Sequence, residues 1–577
     1  MRIIRKFHKI YTIAKRLYAG YGQRFLAMST LGFLNAFLEG VGVSILVPLF
    51  TLVVGEGVAE ASIVSKYTDR FFSFINFEPT VHGLLVLIVV MFVLKALSLW
   101  FSEYLNVKLI ADYEKKQRAE LYLKTLKARW SYLSKQKIGE LENVLMVDLS
   151  NSVEFMKQVI SIVFDIITFA VYAFFSLAIS KTVALSTLVA GVLIFFLFRP
   201  FVSKSKLYSK QFSVHRKEVA HRVNENIIGL KTIKSLHLED EFSEASSDLF
   251  EKLRVIKIKH YLARLFTKVA LEPLGIFFIA GAFLISYNRP GFNLAVFAAV
   301  VYLTQRIFIY VEKMQASLHT INSFIPYAQN LLASREKVEE NKEVDEGKIP
   351  FSFKDRIDFK DISFSYDKKG KVLNDVNLNI SRGEFVAIMG TSGGGKSTMV
   401  DLLLRLYEPD SGEITMDGKN TSEYRLFEWR RKIGYVSQEM FLKNDTIKNN
   451  VQFYEDGISV EKIVAALKAA NIYDFISTLP EGLETKAGER GTRFSVGQRQ
   501  RVVLARVLVR EPEILVLDEA TSALDEESEK AISDTLEKLK GKITIIVIAH
   551  RSGVVRLANR VLTLEKGKIN IKNGDFR

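Results

Sequence analysis

The stretch Gly390-Thr391-Ser392-Gly393-Gly394-Gly395-Lys396-Ser397-Thr398 decides how the chain is read. It fits G-x-x-x-x-G-K-[ST] and stands between an apolar run, Glu384 to Met389, and one with helical spacing, Met399 to Leu406. That is the strand–loop–helix context in which the pattern cradles phosphate. The backbone N–H groups from Ser392 through Gly394 to Thr398 are expected to wrap a β-phosphate, with the N-terminus of the following helix aimed at it. Gly393 and Gly395 fall where only glycine tolerates the φ values and the close approach. Lys396 is expected to place its charge between the β- and γ-phosphates, and Ser397 to offer its hydroxyl to Mg²⁺.

Further on, Ile514-Leu515-Val516-Leu517-Asp518-Glu519 reads as a buried strand ending in two carboxylates. Asp518 then lies where Mg²⁺ would sit, reaching it through water. Glu519, one residue on, faces the attacking water as general base. Together the two motifs predict an α/β domain of P-loop type that binds ATP with Mg²⁺ and hydrolyses it.

The other half of the chain has a different character. Of all 577 residues 49% are hydrophobic and 11% aromatic, and the long apolar runs fall in the first 330. A bilayer core needs about 20 apolar residues per helix. Six spans meet that demand: 26–54, 80–107, 157–179, 182–199, 264–287 and 291–312, the third and fourth parted only by Ser180-Lys181. Buried helices of a soluble protein do not reach such lengths six times over. Residues 1–24 carry Arg2, Arg5, Lys6, Lys9, Lys15, Arg16 and Arg24 and no acid, and Lys108 to Arg129 is strongly basic, whereas acids outnumber bases between the first two spans. Cations stay on the cytoplasmic side. The N-terminus, residues 108–156 and 200–263, and the ATPase after the sixth span are therefore expected in the cytoplasm of a multi-pass, bacterial-type inner-membrane protein.

Ile3, Phe7, Ile10, Ala14 and Leu17 recur at helical spacing among these cations. This predicts an amphipathic helix within 1–24 lying on the membrane surface, not a cleaved leader. Basic side chains facing membrane lipids account for the formal charge of +15, so no nucleic-acid partner is expected. The absence of cysteine excludes disulfides and thiolate metal sites. The connectors after spans two and four read as helices continuing into the cytoplasm, each interrupted once, near Lys137-Ile138-Gly139-Glu140 and near Ile228-Gly229-Leu230-Lys231. A lysine- and glutamate-rich stretch from Glu336 to Lys348, ending at Pro350, marks the boundary. The expected domains are thus 25–330 in the membrane, a linker over 331–354 and the ATPase over 355–577.

The chain resembles an ATP-binding-cassette (ABC) exporter half-transporter over nearly its whole length. The resemblance implies a six-helix, all-α transmembrane domain followed by an α/β nucleotide-binding domain. Leu517-Asp518-Glu519-Ala520-Thr521-Ser522-Ala523-Leu524-Asp525 is similar to the family's Walker B and D-loop. Ser437-Gln438 resembles its Q-loop, which implies that Gln438 touches Mg²⁺ and senses the membrane domain. Ala549-His550-Arg551 resembles the switch segment, which implies that His550 contacts the γ-phosphate. Tyr366, in Phe364-Ser365-Tyr366, resembles the aromatic that stacks on adenine, and Gly488-Glu489-Arg490-Gly491 the exporter loop that meets the coupling helices. Phe494-Ser495-Val496-Gly497-Gln498 departs from the family's L-S-G-G-Q signature. It keeps Ser495, Gly497 and Gln498, which implies contacts to a γ-phosphate held by another subunit, while positive φ or crowding would penalise Val496.

In that family each ATP lies between the P-loop of one nucleotide domain and the signature of another. The resemblance therefore implies a pair of chains: a homodimer, since every motif is present here, or else a heterodimer. The interruptions near Gly139 and Gly229 correspond to the family's coupling helices. Glu39, Lys95, Asp165, Glu272 and Arg306 place charge within the spans, where charge marks function by default; Glu39 or Arg306 is expected to face a translocation cavity. Phe33 to Phe50 is similar to the first helix of lipid-linked oligosaccharide flippases. The expected function is ATP-driven export or flipping of a small, amphipathic or lipid-like substrate by alternating access. Multidrug or peptide export and a non-transporting, ATP-gated regulator are the alternatives.

Overall fold

A computed structural model describes residues 2–54, 80–179, 218–287, 294–366, 370–519, 526–549 and 552–572, with scattered residues between 185 and 216. The expected fourth span, 182–199, lies largely outside this set, as do His550 and residues 520–525. The chain divides into two compact units, residues 1–127 with 136–340 and residues 128–135 with 341–577.

The first unit is helical. It begins with α1 (Arg2–Leu17), α2 (Gly22–Ser44), α3 (Leu46–Val54) and α4 (Val81–Leu126). After α5 (Trp130–Leu133), which belongs to the second unit, follow α6 (Ile138–Asn143), α7 (Leu149–Ile179), α8 (Leu230–Leu236), α9 (Glu239–Tyr287) and α10 (Leu294–Glu340). Among the described residues Gly22–Phe50, Val81–Leu126 and Gly139–Ile179 are long and apolar enough to cross a membrane, and a shorter apolar stretch, Pro273–Ile285, lies in α9. The Thr80 hydroxyl caps α4 by accepting from the Gly83 N–H at 3.2 Å. Only 6% of the most apolar window of α4 is buried. Val86, Val89, Val93, Leu97 and Trp100 stay exposed on it, the surface a bilayer covers. On their other faces α2 packs on α4 and α7, and α10 runs along α7.

Three expectations need correction. The apolar stripe of α1 is covered by protein at its C-terminal half: Ile10, Ile13 and Leu17 are buried with Leu109, Tyr113, Phe155 and Ile321, so this part of the helix does not rest on head groups. The first interruption falls before Ile138, over 127–137, because the Arg129 N–H donates to the Asn341 carbonyl at 2.8 Å and Ala128 bridges Lys342. A backbone committed to that pairing cannot continue the α-helical ladder. The lysine- and glutamate-rich boundary is helix as far as Glu340, within the expected linker, since its charges find partners on α4. Arg335 donates to Gln117 at 2.7 Å and Glu339 meets Lys124 at 2.9 Å. The second interruption stands as read: Gly229 caps α8, which His237 ends in the left-handed region.

The second unit is α/β. Strands β1 (Arg356–Phe364), β2 (Leu373–Ser381), β4 (Ser411–Met416) and β5 (Lys419–Asn420) form an antiparallel sheet in the order β2-β1-β4-β5. Strands β3 (Phe385–Met389), β6 (Ile433–Val436), β7 (Ile514–Asp518), β8 (Thr544–Ile548), β9 (Arg560–Glu565) and β10 (Lys568–Lys572) form a second sheet in the order β10-β9-β3-β8-β7-β6. Neighbours β3, β8, β7 and β6 are parallel. Every residue of β7 and β8 is buried, which is why both read as unbroken apolar runs. Parallel pairing brings the C-terminal ends of four strands to one edge, where α/β sheets bind ligands.

Helices α11 (Lys396–Leu403) and α12 (Leu426–Lys432) are tied together by Trp429, which is fully buried and donates its indole N–H to the Leu403 carbonyl at 2.8 Å. Trp429→Ala is expected to cost about 3–5 kcal/mol through the cavity left behind, and Trp429→Phe about 1 kcal/mol for the lost hydrogen bond. Thermal unfolding of the full-length protein in detergent checks this order; equal Tm values for both variants and the parent contradict it.

Candidate functional site

The edge where β3 ends carries the P-loop. Gly390, Gly393 and Gly395 have φ values of 148°, 77° and 98°. A Cβ on Gly390 would meet the Leu564 carbonyl oxygen at 2.1 Å, and one on Gly395 the Leu373 side chain at 2.8 Å. The loop is thus a cradle that side chains would fill. Gly395 caps α11, whose first residue, Lys396, is buried with its Nζ donating to the carbonyls of Gly390 at 3.0 Å and Thr391 at 2.9 Å. The ammonium therefore sits over the loop with no carboxylate in that pair of contacts, a cation suited to phosphate oxygens.

At the start of α11 the chain reaches across the sheet edge. Ser397 Oγ donates to Asp518 Oδ1 at 3.4 Å, and the Tyr435 hydroxyl donates to Asp518 Oδ2 at 3.3 Å. Burial pushes the Asp518 carboxyl above its ordinary range, and the neighbouring Glu519 charge adds to it. Glu519 has a φ of 50°, a strained position for a side-chain-bearing residue, and extends the sheet by donating its N–H to the Ile548 carbonyl at 3.1 Å. Gln438 Nε2 donates to Glu519 Oε2 at 2.8 Å. Lys396, Ser397, Gln438, Asp518 and Glu519 are thereby gathered from three strand ends. Their hard oxygen donors fit Mg²⁺. Ser397, Gln438 and Asp518 are the residues that would hold it, and the bound ion would neutralise phosphate charge.

Tyr366 lies beside the same helix. Its hydroxyl bonds Thr398 Oγ1 at 3.0 Å and donates to Asp401 Oδ2 at 3.3 Å, and Phe364 and Tyr407 meet its ring edge-on. Tyr407 in turn bonds the Ser134 hydroxyl, just after α5, at 2.8 Å. Asp401 went unnoticed in the sequence, although a lone carboxylate one turn past Ser397 in an otherwise apolar helix was a readable signal. Burial carries its pKa from the ordinary 3.8 up to about 6, with Asp518 contributing in the same direction.

The signature residues open a different helix, α13 (Val496–Leu508), and make no hydrogen bond to the P-loop group among the described residues. Ser495 Oγ accepts the Gln498 N–H at 3.2 Å and Gln498 Oε1 accepts the Ser495 N–H at 3.0 Å, a reciprocal cap. Gly497 is buried in the first turn. Val496 is the first helical residue, has no positive φ and packs on the apolar core, so the backbone concern raised by the sequence does not hold. Deeper in α13, buried Arg506 donates to the Asn450 and Phe441 carbonyls, both at 2.7 Å, tying this helix to the segment that follows Gln438. Burial lowers its pKa to about 10.

In the first unit the charges within the spans converge. Glu39 on α2 is almost wholly buried and pairs with Lys95 of α4 at 2.6 Å and Arg306 of α10 at 2.9 Å. The hydroxyls of Tyr172 on α7 and Tyr302 on α10 donate to it at 2.5 and 2.9 Å. Glu39, Arg306 and Asp165 all line one cavity of about 650 Å³. The side chain of Glu272 lies outside the described residues.

With this geometry in hand, comparison with known proteins is informative. Two family models match, "ABC transporter transmembrane region" over residues 35–305 and "ABC transporter" over residues 373–522. The ATP-dependent lipid A-core flippase of Syntrophus aciditrophicus is 32% identical over 478 residues, 81% of this chain and 77% of that protein. YgaD of Bacillus subtilis, whose name assigns it to multidrug export, is 30% identical over 480 residues, 82% of this chain and 81% of that protein. A solved bacterial Atm1-family ABC exporter with ATP bound shares the fold, with a TM-score of 0.75 over 97% of this chain and 95% of that one at 22% identity.

Two outcomes follow from the site's geometry. Because the folded-state pKa of Asp401 is raised, its stabilising contribution is complete below pH 4 and is lost as pH rises through about 6. Asp401→Asn should therefore raise Tm relative to the parent at pH 7.5, and the difference should shrink between pH 6 and 4; a difference independent of pH contradicts the burial. Val496→Gly should loosen the first turn of α13 by about 1 kcal/mol without accelerating ATP turnover. A severalfold faster turnover would place the side chain against the phosphate instead.

Proposed function

The chain belongs to the ABC transporter family, a multi-pass membrane protein that hydrolyses ATP to drive export or flipping, and we propose that a homodimer of it moves an amphipathic or lipid-linked substrate across the cytoplasmic membrane. The observation that carries this reading is the pairing, in one chain, of a P-loop edge with a polar, charge-lined cavity inside apolar helices. A substrate with a polar head and an apolar body matches both the charged cavity and the lipid-facing helices around it.

At the nucleotide site, Lys396 and the N–H groups of 392–398 hold the phosphates. Ser397, Gln438 and Asp518 would hold Mg²⁺, which would neutralise phosphate charge, and Tyr366 would stack on adenine. Glu519 is the general base for the attacking water, and His550, outside the described residues, contacts the γ-phosphate. Ser495, Gly497 and Gln498 of one copy face the phosphates bound by the other, which is supported by their separation from the P-loop group within a single chain. The Gln438–Glu519 hydrogen bond supports a resting state in which the Gln438 amide occupies the carboxylate that would face the attacking water. The nucleotide domain faces the cytoplasm, consistent with the basic segments on that side of the spans. Relatives of similar identity named for lipid A flipping and for multidrug export leave drug-like amphipaths as the second reading.

Glu519→Gln should retain ATP binding and lose nearly all turnover, and in proteoliposomes it should stop ATP-dependent movement of a tail-labelled lipid. Lys396→Ala should instead weaken nucleotide binding itself. Turnover of Glu519→Gln within about twofold of the parent would remove the base assignment, and lipid movement unaffected by either substitution would remove the transport reading.

A further inference from the structure

The cavity described above is built in two storeys of opposite charge. The upper storey is the Glu39 cluster. Its carboxylate is nearly sealed, 4% exposed, while the cations paired to it remain open, Lys95 at 20% and Arg306 at 34%. Glu39 already accepts from Lys95, Arg306, Tyr172 and Tyr302, so its oxygens are spent. What this storey offers the cavity is one net positive charge with unused N–H groups on Lys95 and Arg306.

The lower storey lies about two helical turns away. Tyr172 to Asp165 steps seven residues back along α7, and Arg306 to Lys313 steps seven forward along α10. At 1.5 Å per residue each step is about 10 Å, and the antiparallel helices carry both residues to the same level, where Lys313 is the cation facing Asp165. Glu103, two turns beyond Lys95 on α4, lines the cavity as well. Among the described residues, two acids against one base give this storey one net negative charge. Tyr310 stands between the storeys, within reach of both Glu39 and Asp165, and Lys313 lies 4.5 Å from its ring.

Two buried residues lining this space carry side-chain atoms with no hydrogen-bond partner among the described residues. Both amide atoms of Asn35, one turn before Glu39 on α2, are unbonded, and so is Asp165 Oδ2; each residue is 4% exposed. Buried polar groups are almost always satisfied, so each of these atoms calls for a water or a ligand group beside it. Asn35 offers one donor and one acceptor between the storeys, and Asp165 an acceptor in the lower one.

We propose that the cavity binds the head group of an amphipath carrying one acidic group and one ammonium group. The acidic group pairs with Lys95 and Arg306, the ammonium with Asp165 and Glu103, and the Asn35 amide bonds the polar atoms linking them. A ligand with only one of these charges leaves the opposite storey unmatched and desolvated, so the arrangement discriminates by penalty as well as by attraction. This assignment rests on the transport reading in taking the cavity as the substrate's, and it narrows that substrate to a zwitterion.

The test is equilibrium binding to the full-length protein in nonionic detergent without nucleotide, so that its outcome is independent of whether transport is seen. The probes are lysophosphatidylethanolamine, lysophosphatidylglycerol and a primary alkylamine of equal chain length. The zwitterion should bind at least about tenfold more tightly than either singly charged probe. Asp165→Asn should reduce the zwitterion to the affinity of lysophosphatidylglycerol while leaving the latter within about twofold, and Glu103→Gln, at an exposed position, should lower the preference in the same direction. Equal affinity for the zwitterion and lysophosphatidylglycerol in the parent protein, or a preference that survives both substitutions, overturns the proposal.

Discussion

Four neighbouring parallel strands end on the same edge of one sheet, and the nucleotide site exists because they do. The P-loop follows β3, Asp518 and Glu519 close β7, Ser437 and Gln438 follow β6, and Ala549 follows β8. These segments are far apart in the chain, yet strand spacing of about 4.8 Å brings them within side-chain reach. The contact of Ser397 with Asp518, spanning two strand intervals, measures how tightly that edge is drawn together. The phosphate loop and the Asp518 carboxylate are held there by buried backbone before nucleotide arrives.

The membrane unit meets a harsher constraint. A charge among apolar helices is tolerated only with partners, and Glu39 has four, drawn from α4, α7 and α10. One carboxylate thus fixes the mutual placement of four helices, counting its own. Removing a partner would strand a buried charge, which is more destabilising than never having had the pair. The same hub shapes the cavity wall, because saturating Glu39 turns the open faces of Lys95 and Arg306 toward the space inside. Helix packing and the shape of the cavity wall therefore rest on the same set of bonds.

The sequence exposed the loop around which the nucleotide half is built, because phosphate loops demand particular residues at fixed spacing. Gly393 and Gly395 have the backbone the motif requires. It exposed less where partners come from distant segments. Glu39, Lys95 and Arg306 were conspicuous as intramembrane charges, but nothing local says that they meet. Asp401 and Arg506 were hidden inside helical patterns, where a single charge among apolar positions looks ordinary. The apolar stripe of α1 pointed to lipid because a sequence does not reveal that Tyr113 and Phe155 will cover it. Likewise, lysines and glutamates before Pro350 looked like a linker until α4 supplied their counter-charges.

The central claim is that hydrolysis at this sheet edge moves a substrate through the helical unit of the same chain. It is tested most directly by the ratio of ATP hydrolysed to lipid translocated, measured in proteoliposomes of the unaltered protein across a range of ATP concentrations. The account predicts that both rates rise and saturate together at a constant ratio. Hydrolysis that saturates while lipid movement stays independent of ATP would contradict it.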